Sequence, residues 1–115
     1  MNGEYEGPPL EIELYEAFGV IADSFQERRR LRLLNTEGVE LASVTGVLAG
    51  PDLVKEEGED FAELLVCDGG LSVRVKIALD PETRCTISPD GTLTGVLPSG
   101  ATWITTPRWA ESGRA

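Results

Sequence analysis

Twenty Asp and Glu stand against ten Lys and Arg, and there is no histidine in 115 residues. Carboxylates can act as paired acid and base or hold divalent cations, but only where something singles one pair out from the rest. With 20 of them, spacing alone singles out none. The missing His removes Ser-His-Asp and Cys-His nucleophiles, imidazole base catalysis and most zinc sites. No GxGxxG, Walker loop or GxSxG occurs, so nucleotide-fold chemistry and the hydrolase elbow have no support. Cys67 and Cys85 are too few for a disulfide framework or a four-ligand metal site, and read as small buried hydrophobes. A Cys67–Cys85 bridge or a redox role is the alternative. The expectation is a protein that is not an enzyme, with no cofactor and no metal.

What remains is charge. Through residue 27 the chain carries seven acids (Glu4, Glu6, Glu11, Glu13, Glu16, Asp23 and Glu27) and no base. Arg28, Arg29, Arg30 and Arg32 follow at once. They read either as a contact for phosphate or an acidic partner, or as helix C-terminal charge paired with nearby Glu. Lys55-Glu56-Glu57-Gly58-Glu59-Asp60 reads as a solvated acidic loop, without the alternation of an EF-hand. Glu13, Glu16 and Asp23 together with Glu56, Glu57, Glu59 and Asp60 could form one negative field that steers a basic partner. The plain alternative is that they keep the protein in solution.

The elements that would carry these groups are short. Residues 1–9 hold two Gly and two Pro and read as a flexible arm. Leu10-Glu11-Ile12-Glu13-Leu14 alternates like a strand, yet it runs into a helical stripe of Leu14, Phe18, Ile21, Ala22 and Phe25. That spacing predicts a helix over about 13–28, closed by the arginines, and leaves Leu10–Leu14 open between strand and helix. Everything later reads as β. Turns are predicted at Thr36-Glu37-Gly38, Gly50-Pro51-Asp52, Asp68-Gly69-Gly70, Asp80-Pro81-Glu82 and Pro89-Asp90-Gly91. Gly46 marks a bulge or sharp bend. Leu71, Val73, Val75, Ile77 and Leu79 share one strand face, and Arg74 and Lys76 the other.

The organisation is therefore a flexible arm at 1–9, one helix-plus-barrel domain at 10–97 and a partly disordered tail at 98–115. Within the tail, Thr102-Trp103-Ile104-Thr105 could add an edge strand. The fold class is mainly β (α+β): an N-terminal helix, then a small, strongly bent antiparallel sheet or five-stranded Sm/SH3-like barrel. Parallel βαβ units are excluded because the links are too short for crossovers. No stretch is apolar for about 20 residues, so no membrane span is expected. The acidic start and sparse cysteine point to a cytoplasmic location.

The order of helix, bent hairpins and final short strand resembles the Sm-like small barrel. Gly46-Val47-Leu48-Ala49-Gly50-Pro51-Asp52 is similar to the second half of the Sm motif. Leu53 and Val54 stand where that motif has Asn. The chain is also similar to the Rho-binding antiterminators, small acidic proteins with an Sm-like barrel that block the RNA site of the termination factor Rho. The matching parts are Leu14-Tyr15-Glu16-Ala17-Phe18, Leu31 to Gly38, and Glu63 to Gly70 with Val73-Arg74-Val75-Lys76-Ile77. The resemblance implies a barrel that binds and inhibits Rho, a regulator of transcription.

The first expectation is thus an acidic binding module that regulates a basic, nucleic-acid-binding protein. A direct nucleic-acid partner is disfavoured by a net charge of -10. The alternatives are an Sm-like RNA-binding oligomer using the four arginines, and an accessory subunit of an assembly that pairs through an edge near Trp103.

Overall fold

The computed structural model describes residues 7–23 and 27–112. Its eight strands are β1 (Leu10–Ile12), β2 (Arg28–Leu34), β3 (Glu40–Glu56), β4 (Glu59–Asp68), β5 (Leu71–Ala78), β6 (Arg84–Ile87), β7 (Leu93–Val96) and β8 (Thr102–Pro107). They form one antiparallel sheet in the order β1-β6-β7-β8-β2-β3-β4-β5. Helix α1 (Leu14–Asp23) lies between β1 and β2 in the chain, and α2 (Arg108–Ser112) follows β8. The fold is mainly β, as expected. The sheet is open, with β1 and β5 as its two edges, and is larger than the expected five-stranded barrel.

Leu10–Ile12 pairs with β6, so the alternating stretch is a strand that gives way to the helix at Leu14. Two hydrogen bonds start the helix. The Ala17 amide donates to Glu13 O at 3.0 Å, and the Glu13 amide donates to Glu16 Oε1 at 3.1 Å. The second is the returning half of a capping box. Leu14, Ala17, Phe18 and Ile21 form the buried stripe, whereas Ala22 is exposed. Ala17 rather than Ala22 is inside because the apolar face is centred on i, i+3, i+4, i+7 from Leu14. Phe25, placed on the stripe by sequence, lies outside the described residues, as does most of the expected arm.

The arginines correct the predicted helix end. Arg28, Arg29 and Arg30 open strand β2, so they carry no charge to a helix terminus. β3 runs 17 residues, straight through the predicted stop at Gly50-Pro51-Asp52. Ala49 pairs with Leu65 and Asp52 with Glu63, so Gly50 and Pro51 together oppose Leu64 alone. This bulge, with a cis Gly50–Pro51 bond, lets the strand continue past a proline that offers no donor. Gly46 is not the bulge, yet the backbone depends on it. A Cβ there would lie 2.4 Å from Cys67 O, backbone that cannot step aside.

The expected acidic loop is a tight hairpin. Glu56 pairs with Glu59 and Lys55 with Asp60, leaving Glu57 and Gly58 as a two-residue turn at φ 52° and 83°. Positive φ at both positions matches the right-handed twist of the strands. The predicted turns at Thr36–Gly38, Asp68–Gly70, Asp80–Glu82 and Pro89–Gly91 all join strands consecutive in the chain, and all but Asp80–Glu82 join strands that pair in the sheet. Residues 98–112 belong to the body of the fold rather than to a tail. Pro98-Ser99-Gly100 is a hairpin turn, with the Gly100 amide donating to Leu97 O at 2.8 Å. β8 then lies inside the sheet, between β7 and β2.

One face of the sheet packs on α1. Phe18 stacks on Trp103 with ring centroids 5.8 Å apart. Leu31, Leu48, Ala62, Leu64, Val66, Ile77, Cys85 and Leu93 complete the core. Trp103 has the room it needs because its cross-strand partner is Gly95.

Candidate functional site

The four arginines alternate along β2. Arg28, Arg30 and Arg32 point away from the core, and Arg29 points into it with Leu31. Each is bonded within the chain. Arg28 Nη2 meets Asp68 Oδ1 at 2.8 Å, Arg30 Nε donates to Ser43 Oγ at 2.8 Å, and Arg32 Nε meets Glu40 Oε1 at 2.7 Å. Arg29 is 2% exposed. Its Nη2 donates to Gly91 O at 2.7 Å and to Thr105 Oγ1 at 3.2 Å, and Glu27 lies 3.6 Å from Nη1. Burial pulls the Arg29 pKa down, and Glu27 and Asp90 push it back up. The guanidinium fixes β2 to the turn before β7 and to β8. This overturns Arg29 as a contact for phosphate or an acidic partner, because it does not reach solvent.

The seven acidic candidates sit in two places. Glu13, Glu16 and Asp23 are exposed on and before α1, with the Glu16 carboxylate engaged in the helix start. Glu56, Glu57, Glu59 and Asp60 surround the tip of the β3–β4 hairpin, all exposed. Two carry cations: Glu56 pairs with Lys76, and Asp60 Oδ1 lies 3.4 Å from Lys55 Nζ. Glu57 and Glu59 have no ion-pair partner among the described residues.

The thiols stay apart in role. Cys85 is buried, and burial with nearby Glu13 pushes its pKa up to about 11. Cys67 is half-buried, and both are free, which overturns the Cys67–Cys85 bridge. Among the described residues, no group of three or more Cys, Asp or Glu is placed to hold a metal ion. Among the described residues, no helix is long and apolar enough to cross a membrane.

A further surface was not legible in the sequence. A groove of about 300 Å³ is lined by Leu31, Leu33, Ala42 and Val44 on one side and by Val73, Arg74, Val75 and Lys76 on the other. Sequence alternation placed Leu71 and Val73 on one strand face with Ile77, and that face is not buried throughout. Leu71 is 77% exposed and Val73 48% exposed, while Ile77 is buried. The period of two was right, but the core covers only the later part of β5.

The edge near Trp103, expected to pair with a neighbouring subunit, does not exist, since Trp103 is buried in an inner strand. No family model, curated protein or solved structure matches the chain.

Proposed function

We propose that the chain is a non-enzymatic binding module whose carboxylates engage and regulate a basic, nucleic-acid-binding protein. The observation that carries the reading is an imbalance of pairing. The basic cluster on β2 is taken up by bonds within the chain, while Glu57 and Glu59 stand uncompensated on an exposed hairpin tip. On a chain of charge -10, that tip is a pole of negative potential able to steer a cationic partner. Such a partner binds RNA or DNA with the same cationic surface, so occupying it competes with the nucleic acid. The resemblance names Rho, and the element order supports it: α1, the hairpins β2 to β5, then β8 beside β2. β1 and the β6–β7 hairpin are additions to that order. The RNA-binding alternative loses support, since it needs the arginines free.

The test compares the wild-type chain with E57K/E59K for association with purified Rho carrying a labelled RNA. The expected result is displacement of RNA, with an association rate at low salt falling on the order of tenfold in the variant. Failure of the wild type to bind Rho overturns that assignment. An equal rate for the variant overturns the electrostatic reading. In nuclease-treated bacterial lysate, a basic protein retained by wild type and lost by the variant supports the broader reading, and one retained equally sinks it.

A further inference from the structure

β5 is an edge strand that faces an apolar wall. Side chains alternate between the two faces of a strand. A groove lined by four consecutive residues, Val73 to Lys76, is therefore bounded by the strand's edge, not by one of its faces. The opposite wall comes from a single face of the sheet, because Leu31 pairs with Val44 and Leu33 with Ala42. Open backbone donors and acceptors on one side and aliphatic side chains on the other suit the addition of a strand. Leu71 and Val73, both exposed, extend the apolar surface towards the β4–β5 turn.

We infer that β5 accepts an extended segment of another protein, alternating apolar and acidic residues, as a ninth strand. Charge selects the occupant. Leu71–Ala78 contains Arg74 and Lys76 and no acid, in a chain with twice as many acids as bases. Arg74 is exposed and has no ion-pair partner among the described residues. Lys76 is held by Glu56 on β3, so its charge is shared. An acidic side chain opposite Arg74 is favoured, and a basic one is repelled. The alternate residues of the segment then cover the half-buried Leu33 and Val44 and the exposed Ala42. A second copy of β5 is a poor occupant. Antiparallel pairing centred on Arg74 or Val75 sets Arg74 against Arg74 or Lys76. The surface is distinct from Glu57 and Glu59, since it uses the opposite charge, although Lys76 reaches Glu56 beside that tip.

The test uses a labelled octapeptide of alternating Val and Glu, with a Val–Lys octapeptide as control. Binding is followed by anisotropy and by hydrogen exchange of the β5 amides. The Val–Glu peptide is expected to bind and to slow exchange at every second amide of β5, the ones not already bonded to β4. Arg74→Glu with Lys76→Gln should weaken it roughly tenfold. E57K/E59K should not weaken it. Equal binding of the Val–Lys peptide, unchanged β5 exchange, or full affinity in the β5 variant would overturn the inference. Concentration-dependent dimerisation that slows the same amides would assign the edge to a second copy instead.

Discussion

Gly95→Ala is the sharpest probe of how the sheet holds the buried indole of Trp103. A Cβ at Gly95 would sit 2.1 Å from Cε2 of Trp103 and 2.4 Å from Cζ2 and Nε1. Ordinary contact begins near 3.4 Å, so the indole must retreat by more than an ångström. It has nowhere to go. The ring is 1% exposed, and Phe18 is stacked on it at a 16° interplanar angle. Overpacking a core costs about 1–3 kcal/mol where neighbours can yield, and here the expected cost is about 3 kcal/mol or more. Removing the indole removes the clash. Trp103 Nε1 has no hydrogen-bond partner among the described residues, so Trp103→Leu sacrifices packing and no bond. In that background Gly95→Ala should be neutral or stabilising by up to about 1 kcal/mol, because a strand interior disfavours Gly relative to Ala. The assay is a double-mutant cycle by urea unfolding, followed by far-ultraviolet circular dichroism so that losing a tryptophan does not alter the probe. A Gly95→Ala cost of about 1 kcal/mol or less in wild type, or one equal in both backgrounds, would refute the argument.

Arg29→Leu should destabilise by about 3 kcal/mol in the same assay, since it strands Gly91 O and the buried Thr105 hydroxyl. Arg29→Lys should recover only part of that, because one ammonium cannot span both acceptors and face Glu27. In the folded protein a thiol reagent at pH 8 should label Cys67 before Cys85, and intact-mass measurement after brief exposure reads the order. The Cys85 pKa is raised from 9.0 to about 11, so the unfolded chain loses that proton first. Its contribution to stability is whole below pH 9 and lost as pH rises towards 11, and Cys85→Ala should flatten that part of the profile.

The parts of this fold that sequence discloses are those decided by near neighbours. Asn35 shows why. Its side chain accepts from the Glu37 and Val39 amides at 2.9 Å each, and Gly38 takes φ 82°, so the turn is written in residues that touch one another. The stripe Leu14, Phe18 and Ile21 is local in the same way. The parts that escape depend on residues far along the chain. Gly50-Pro51 is a stop signal by every local rule, and becomes a bulge only because β4 offers Leu64 opposite it. The alternation of Trp103 and Thr105 is legible, but their place inside the sheet depends on β2 at one side and β7 at the other. Arg29 is the clearest case. Within Arg28-Arg29-Arg30 nothing distinguishes the middle residue, and its acceptors lie 62 and 76 residues away. A basic run on a strand must divide between two faces, so one of three adjacent arginines was bound to face inward once the segment became β rather than helix. The same division decides function. It takes Arg29 out of reach of any partner and leaves Arg74, the mirror case on β5, as a cation exposed beside an open edge.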